Sequence, residues 1–504
     1  MSLRRLLGLS TAAVSSRYLS AASAVSGRLR RSLSTGAASS HLPPWAIIDH
    51  SAEVDRSSSA QTARFRPADP PGVSSISAPA HLIDPTARPT ADSSKVQYLS
   101  GNVVQVLFGH VAAASGDGHL LLSYHDLRAE GPCTSWDLTG NPELQRFVCN
   151  PLTGQMLRLP DIGGCRKILV VHHMGLLTQA DGGLGCGPPD RFAVAEFVFN
   201  GSALARFLSD EGKWKTVMMG SPGGPLLPRE MEMNPETVAF DGRLWWVDLT
   251  LGAISVDPFA DRPEIRFVEL PRGSVLPAPA CADERDLSKV EERALSMLEL
   301  ARRRRIGVSE GRLRYAEVTP GGPFLLSSYA LGDGEGSGWK LEHQVSLRKV
   351  LADGGYPWQE NSAQSAPQIA VLDPLDASVI YIKVGEHVLV VDMHNAKVIG
   401  ASRLEDEYFS LIPCVLPAWL GSSRIPTAVS LHFSIAFAGP LIDWFVFGQK
   451  IVNCSWMNFG VELTLSFVSL YFGVTVPQFP GTNRLRGFAI LGRKLAENMD
   501  ASMI

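Results

Sequence analysis

Histidine is the residue type in this chain best suited to metal binding or proton transfer, and two pairs of histidines stand out. His172 and His173 are adjacent in an apolar stretch that predicts a strand, so their rings are expected on opposite faces, where they cannot share one metal ion. His119 and His125 flank the stretch LLLSY, which places them on one side of a straight strand but far apart. His172 and His173 are interpreted as packed or rim histidines.

Two further patterns resemble cofactor-binding or catalytic motifs. The loop GLGCG at residues 183–187 follows a predicted strand, but two prolines follow it, and no helix N-terminus is available to hold a pyrophosphate. Asp373 and Asp376 in LDPLD predict a turn rather than a pair of catalytic carboxylates. The sequence contains no P-loop or zincin motif. We therefore assign no catalytic, cofactor-binding or metal-binding residue.

Paired aromatic residues offer a candidate surface for a partner. Trp245 and Trp246 could anchor a ligand or a protein. They stand between Leu244 and Val247 in a predicted strand, which favours packing between sheets.

The cysteines indicate a reducing compartment. Their odd number and the absence of C-x-x-C spacing favour buried thiols over a disulfide framework or a zinc site. The seven are Cys133, Cys149, Cys165, Cys186, Cys281, Cys414 and Cys454.

Residues 1–40 predict an organelle transit peptide. The segment is rich in Arg, Ser, Ala and Leu, and the first 48 residues contain six arginines and no acidic residue. No apolar run is long enough for a secretory signal. The early pair Arg4 and Arg5 and the stretch RRSLS favour a mitochondrial address, with a chloroplast address as the alternative. A disordered basic tail is the remaining alternative.

The charge of the chain does not favour nucleic acid as a partner. The net charge is −4 overall and −10 once the first 48 residues are set aside. The run from Arg302 to Arg305 closes an amphipathic pattern that predicts one helix near residues 281–305, and we interpret the run as its solvated end. The apolar stripe consists of Leu287, Val290, Ala294, Met297, Leu298 and Ala301.

Residues 95–426 predict a mainly β domain. Short apolar stretches bounded by Gly, Pro, Asp or Asn recur along this range. The turn pairs Asp117-Gly118, Asp241-Gly242 and Glu310-Gly311 each precede a predicted strand, which indicates repeated hairpins. Repeated hairpins favour a β-propeller, although the turn pairs are spaced irregularly, by 124 and then 69 residues. A β-sandwich or a pair of small barrels is the alternative.

The two flanks of this domain differ from it in composition. Residues 41–94 predict a short strand at 45–48 followed by a Pro- and Ser-rich irregular segment. Residues 427–504 form an apolar tail of low charge, in which 427–483 contain only three charged residues. Two of these charged residues are acidic, and they and a Gly-Pro pair interrupt the apolar stretches. We therefore expect a poorly ordered or membrane-associated tail rather than a membrane span. A tail segment at 461–466 that pairs with the strand at 45–48 is the competing expectation.

Several segments resemble the plant family defined by the domain of unknown function DUF1618. They are PPWAIID, GDGHLLLSY, RFVCNPLTGQMLRLP, FDGRLWWVDLTLGAISVDPFADRPEIRFVELP, GVSEGRLRYAEV, WKLEHQVSL and VIYIKVGEHVLVVDM. The resemblance runs from Pro43 to about Leu416 and implies a propeller-like β-domain. It implies no reaction and no catalytic residue, and the chain has no F-box.

These observations predict a non-enzymatic module in an organelle that uses propeller loops to bind an unknown protein partner. Membrane association through the tail is a further expectation. The alternative is an enzyme whose active-site residues are scattered along the chain at the mouth of the propeller. Histidines or carboxylates that converge on a central pocket with perturbed pKa values would favour that alternative.

Overall fold

The computed structural model describes residues 42–85, 87, 96–98, 103–130, 143–162, 173–180, 187–198, 203–219, 228–229, 231–232, 236–277, 287–332, 338–355, 366–404 and 410–427. The predicted transit peptide at 1–40 lies outside these residues, as does the predicted tail from residue 428 onward.

Eight strands from the first part of the chain enter one large sheet. They are β1 (Trp45–Asp55), β2 (Arg64–Arg66), β3 (Val73–Pro79), β4 (Val96–Tyr98), β5 (Val103–Ala114), β6 (Leu120–Glu130), β7 (Glu143–Cys149) and β8 (Met156–Arg158). Strands β5 to β8 form an antiparallel meander, whereas β1 pairs in parallel with β3, and β2 lies beyond β3. Strand β4 pairs only with the beginning of β5.

Four separate four-stranded antiparallel sheets follow in chain order. The first contains β9 (Gly175–Gln179), β10 (Arg191–Val198), β11 (Ala203–Leu208) and β12 (Lys213–Met218). The second contains β13 (Thr237–Phe240), β14 (Arg243–Asp248), β15 (Gly252–Val256) and β16 (Arg266–Glu269). The third contains β17 (Arg304–Ser309), β18 (Arg312–Val318), β19 (Leu325–Leu331) and β20 (Trp339–Ser346). The fourth contains β21 (Gln368–Leu372), β22 (Val379–Val384), β23 (His387–Asp392) and β24 (Lys397–Arg403).

The last strand, β25 (Leu411–Val415), returns to the first sheet. It pairs antiparallel with β1 in a register from Trp45↔Val415 to Asp49↔Leu411. The large sheet therefore consists of two blades, β25-β1-β3-β2 and β5-β6-β7-β8. Because β25 supplies the innermost strand of a blade whose other strands come from the N-terminal side, the pairing joins the two ends of the β-domain.

The innermost strands form a closed ring. In the order β5, β9, β13, β17, β21 and β25, each strand contacts the next, and β25 contacts β5. Each of these strands is the innermost strand of a four-stranded blade, so the described residues form six blades around one centre. This is the arrangement of a β-propeller, and the prediction of a mainly β, propeller-like fold is confirmed.

Six apolar cores fill the spaces between neighbouring blades. Leu244 and Trp246 face the core shared with the preceding blade, whereas Trp245 and Val247 face the core shared with the next blade. Both faces of this strand are thus covered, which explains why the strands read as continuous apolar runs rather than as alternating patterns. The expectation that the tryptophan pair packs between sheets is confirmed.

Helices are few among the described residues. They are α1 (Ala80–Ile83), α2 (Leu287–Arg303) and α3 (Leu347–Asp353), with a 3₁₀ turn at Ala418–Ser422. Helix α2 is the predicted amphipathic helix: Leu300 and Ala301 pack against the core between the fourth and fifth blades, while Leu295 is exposed. None of the helices in the described ranges has both the length and the apolar character needed to cross a membrane.

The segment at 41–94 is more regular than its prolines suggest. Strand β1 continues to Asp55, and β2, β3 and α1 follow it. Three prolines lie between β2 and β3, and Pro79 is the last residue of β3, so none of them interrupts the hydrogen-bonded ladder. The prediction of an irregular segment after residue 48 is therefore wrong for these strands, and β1, β2 and β3 belong to the first blade.

Candidate functional site

A cavity of about 110 Å³ lies at the centre of the ring. Five innermost strands, or the residues directly beside them, provide its walls: β5, β13, β17, β21 and β25. Most of the lining residues are alanine, valine, isoleucine, leucine or proline. The cavity is therefore apolar over most of its wall.

Charged residues stand at one end of this cavity. Glu236 directly precedes β13, and Arg305 is the second residue of β17. Arg305 Nη2 donates to Glu236 Oε1 at 2.9 Å and to the carbonyl oxygen of Leu411. The hydroxyl of Ser410 donates to the same Glu236 oxygen at 2.8 Å. One third of the Glu236 side chain is exposed, against one tenth for Arg305, so solvent reaches this ion pair.

Three half-buried histidines lie in a row beside the Glu236–Arg305 pair. They are His50 of β1, His110 of β5 and His125 of β6. The ring centroids of His50 and His110 are 5.3 Å apart, and those of His110 and His125 are 5.5 Å apart. Phe108 continues the row with its ring 4.7 Å from that of His125 and nearly parallel to it. We call these four residues the histidine row.

Burial controls the protonation of His50 and His110. It lowers the pKa of His50 from 6.5 to about 4, with Glu236 acting in the opposite direction and Arg305 in the same direction. Burial also holds the pKa of His110 well below 6.5, and the neighbouring His50 and His125 add to this effect. Both rings are therefore neutral at pH 7. A neutral imidazole can donate one hydrogen bond and accept another.

A second polar cluster lies in the turn between β5 and β6. His119 Nδ1 is 3.1 Å from Asp117 Oδ1, and the hydroxyl of Ser115 donates to the same carboxylate oxygen. Burial alone would raise the pKa of Asp117, but hydrogen bonds from His119 and Ser115 outweigh it and lower the pKa. In a catalytic triad the serine would instead contact His119 Nε2, which is buried without a hydrogen-bond partner among the described residues. The cluster therefore supports the turn and is not a triad.

The histidines singled out in the sequence do not form one site. His119 precedes β6 and belongs to the turn cluster, whereas His125 lies within β6 in the histidine row. The carbonyl oxygen of His173 accepts a hydrogen bond from Trp246 Nε1 at 2.6 Å, beside the start of β9. His172 lies outside the described residues. Only Gly187 of the glycine-rich loop at 183–187 is described.

The two aspartates of LDPLD form the predicted turn. Asp373 Oδ1 accepts hydrogen bonds from the backbone N–H groups of Leu375 and Asp376, at 2.8 and 3.0 Å. Asp376 Oδ1 accepts a hydrogen bond from the hydroxyl of Ser378 at 2.7 Å. Burial raises the pKa of Asp373 to about 6 against the effect of these backbone bonds. The carboxylates serve the turn before β22 and do not face one another as a catalytic pair.

The prediction that the run of four arginines is a solvated helix end is wrong for the second half of the run. Arg302 pairs with Glu299 on the helix surface, but Arg304 and Arg305 belong to β17. Arg304 donates to the carbonyl oxygens of Leu249 and Ser274, at 2.8 and 2.6 Å. The run is divided because the helix gives way to a strand within it.

Residues that could hold a metal ion are not grouped in the described part of the chain. No set of three His, Cys, Asp or Glu side chains has suitable geometry there. Cys149 and Cys414 are free and buried, and burial raises the pKa of Cys149 to about 12. These two therefore fit the expectation of buried thiols, and the other five cysteines lie outside the described residues.

Sequence reasoning missed the residues at the polar end of the cavity. Glu236 and Arg305 each lie within one residue of the start of an innermost strand, and His50 and His110 lie on strands that meet there. A usable signal exists in the fourth and fifth blades, where a charged residue stands at the start of the innermost strand. Finding it requires the blade boundaries, which the irregular spacing of the turn pairs conceals.

Comparisons with known proteins give one family match. Residues 246–381, which run from β14 to β22, match the model of the family described as "Protein of unknown function (DUF1618)". No curated protein matches the chain.

Solved structures with weak overall similarity include three proteins. A putative 6-phosphogluconolactonase from Bacteroides fragilis is 10% identical, with 74% of this chain and 99% of that chain covered and a TM-score of 0.29. Apo AztD from Citrobacter koseri is 12% identical, with 64% and 88% covered and a TM-score of 0.28. YCF48 bound to D1 peptide is 10% identical, with 73% and 86% covered and a TM-score of 0.28. Scores this low carry no argument about function, and the fold assignment depends on the strand ring and the interblade cores.

The family match covers one complete blade and parts of its two neighbours, and Arg305 lies within it. It extends over less of the chain than the sequence resemblance, which runs from Pro43 to about Leu416. Both concern the same family, and the chain is a DUF1618 domain-containing protein.

Proposed function

We propose that this protein is a non-enzymatic binding module of a plant organelle that recognises a protein partner at the polar end of its central cavity. The observation that carries the proposal is the Glu236–Arg305 ion pair, which solvent reaches at the edge of an otherwise apolar cavity. Strands of the inner ring hold both side chains, so the pair is presented on a rigid frame. A partner that satisfies the pair gains specificity from charge and shape together.

The histidine row supports binding rather than proton transfer. A general base works best when its pKa is close to the operating pH. His50, with a pKa of about 4, is a weak base at neutral pH. Its half-buried ring, stacked on His110, offers a flat surface with polar edges that a partner can cover.

An enzyme is the second candidate, and one observation favours it. The carboxylate of Glu236 lines the central cavity, His50 lies near this carboxylate, and burial perturbs the pKa values of His50 and His110. In that case Glu236 is the residue best placed to exchange a proton with a bound molecule. The full chain can be incubated with a small-molecule extract of organelles and the extract analysed by mass spectrometry. Depletion of one compound far beyond the amount of protein, absent with Glu236→Gln, would support the enzyme.

Affinity purification tests the binding function. The full chain is recovered from isolated organelles, with and without crosslinking, and its companions are identified by mass spectrometry. We expect one protein to co-purify with the wild type and to be reduced by Glu236→Gln. Glu386→Gln is the matched control, because Glu386 forms an exposed pair with Arg403 in the sixth blade. Recovery of the chain alone under both conditions contradicts the proposal.

The organelle in this proposal is the mitochondrion, with the chloroplast as the alternative. The Arg-rich composition of residues 1–40 supports it. Fusion of residues 1–45 to a fluorescent reporter should direct the reporter to mitochondria, and replacing Arg4, Arg5 and Arg17 with Glu should prevent entry. A cytosolic reporter with the native leader contradicts the organelle address, whereas chloroplast entry changes only the compartment.

We also propose that the apolar tail at 427–504 associates with membranes. The low charge of residues 427–483 supports this. The full chain should sediment with phosphatidylcholine vesicles, and a chain ending at residue 426 should remain in the supernatant. Equal sedimentation of the two chains contradicts a role for the tail.

A further inference from the structure

The cavity and its polar end differ sharply in chemistry, which restricts what can occupy them. The wall near Ala239, Val308 and Ile412 is apolar, and Gly116 stands beside the alanines at the end of β5. The volume of about 110 Å³ is smaller than the roughly 150 Å³ of an apolar cavity that holds benzene. An aliphatic side chain of the size of leucine matches this space, and an indole ring exceeds it.

The polar end of the cavity has hydrogen-bond donors and acceptors available for a ligand. Among the described residues, both contacts of the Glu236 carboxylate, from Arg305 and Ser410, fall on Oε1, so Oε2 is left as an acceptor. Within the described part of the chain, the hydrogen bonds of Arg305 all come from Nη2, so Nε and Nη1 are left as donors. One acceptor and one cluster of donors therefore stand side by side at the rim of an apolar cavity.

A peptide unit has the complementary groups. It carries one N–H donor and one carbonyl acceptor next to each side chain. A site with a net-neutral ion pair also suits a neutral amide better than a site with one isolated charge, because both charges of the pair remain compensated when the amide binds.

We propose that the cavity receives one aliphatic side chain of an extended peptide segment, while an adjacent N–H donates to Glu236 and an adjacent carbonyl accepts from Arg305. This inference rests on the proposed binding function and names the chemistry of the partner at that site. A free aliphatic amino acid carries a related set of groups, so the experiment must distinguish the two sources.

The experiment uses the full chain and small probes observed by saturation-transfer NMR. The probes are N-acetyl-leucinamide, N-acetyl-alaninamide, N-acetyl-tryptophanamide and free leucine. We expect the leucine amide to bind and the alanine amide to bind roughly 50-fold more weakly, since three buried carbons are lost. The tryptophan amide should not bind, and free leucine should bind more weakly than its blocked form.

A variant that fills the cavity provides the structural control. A Cβ at Gly116 meets only the carbonyl oxygen of Ala239, at 3.9 Å, so Gly116→Leu can enter the cavity without a clash of its Cβ. Gly338→Leu is the matched control, because a Cβ at Gly338 meets nothing within 4 Å and the residue is exposed away from the cavity. Both variants should melt at the wild-type temperature, and only Gly116→Leu should abolish binding of the leucine amide.

The outcomes separate this inference from the proposed function. No saturation transfer to the leucine amide, equal affinity for the leucine and alanine amides, or full binding by Gly116→Leu overturns the inference. Tighter binding of free leucine than of its amide assigns the cavity to an amino acid and also overturns it. If a protein partner still co-purifies with Gly116→Leu at the wild-type level, the proposed binding at the polar end stands, and the insertion of a partner side chain into the cavity is overturned.

Discussion

Removing the residues after 410 should abolish folding, whereas removing those after 426 should not. The strand β25 supplies the innermost strand of the first blade and pairs with β1. The turn that follows it is fixed to the second blade, because Asn150 Nδ2 donates to the carbonyl oxygens of Leu420 and Ser423, at 2.9 and 3.2 Å. The position beside β1 that the competing expectation gave to residues 461–466 is thus filled by β25.

The size of the effect follows from what residues 411–425 bury. Leu411, Leu416, Leu420 and Ile425 are each at most 4% exposed. Burying one such side chain contributes about 1.5 to 3 kcal/mol, so the four together contribute roughly 6 to 12 kcal/mol. A whole domain is stable by only about 5 to 15 kcal/mol. A chain without this segment therefore loses most or all of its stability, and β1 is left with an unpaired edge.

Circular dichroism with thermal melting and urea titration measures this. Chains of residues 41–426 and 41–410 are compared with the full chain of 504 residues. We expect a cooperative transition for 41–426 and none for 41–410. A chain of 41–426 that lacks a cooperative transition, beside a full chain that shows one, would refute the reasoning and assign the closing role to the tail.

Four point substitutions test other parts of the fold. Gly118 has φ +94°, and a Cβ there would lie 2.1 Å from the carbonyl oxygen of Val415, so Gly118→Ala should cost more than about 3 kcal/mol in urea unfolding. Gly242→Ala, with φ +67° and open space around the Cβ, should cost only about 1 to 2 kcal/mol, and equal costs would contradict the close approach. Thr237→Val should stabilise by about 1 kcal/mol, because the buried hydroxyl has no hydrogen-bond partner among the described residues; a lower melting temperature would show that the hydroxyl is used. Because the pKa of His50 is about 4 when folded and 6.5 when unfolded, protons favour the unfolded chain. The contribution of His50 to the free energy of unfolding should be fully present above pH 6.5, and up to about 3 kcal/mol of stability should be lost as the pH drops through 4. The variant His50→Gln should therefore lose less stability than the wild type between pH 7 and pH 4, as measured by thermal melting at both values.

The fold class could be predicted because local signals determine it. The three turn pairs that end in Gly118, Gly242 and Gly311 all adopt positive φ at the glycine, and each joins an innermost strand to the second strand of its blade. Their spacings of 124 and 69 residues correspond to two blades and one blade, because the third blade uses a different turn between β9 and β10. The repeat is therefore nearly regular in space and concealed in the sequence.

The pairing of the first blade could not be predicted from local signals. An apolar run shows that a strand exists, but it does not show which strand pairs with it. Trp45 pairs with Val415 across almost the whole described chain, and β1 pairs in parallel with β3 although the rest of the propeller is antiparallel. Nothing within the segment 45–55 specifies either neighbour.

The arginine run shows why the cavity residues were missed. A helix places charges four residues apart on one side, whereas a strand sends neighbouring side chains to opposite sides. The change from helix to strand occurs between Arg303 and Arg304, so Arg304 donates to the carbonyl oxygen of Leu249, while Arg305 lines the cavity and donates to Glu236 beside the neighbouring innermost strand. Arg305 is one-tenth exposed and shares its charge with that carboxylate, and its replacement by a neutral residue would leave Glu236 without a counter-ion at the cavity. The charge of Arg305, for which a solvated position is the prediction, is thus part of the Glu236–Arg305 ion pair. The change from helical to strand periodicity determines its position, and the composition of the run does not.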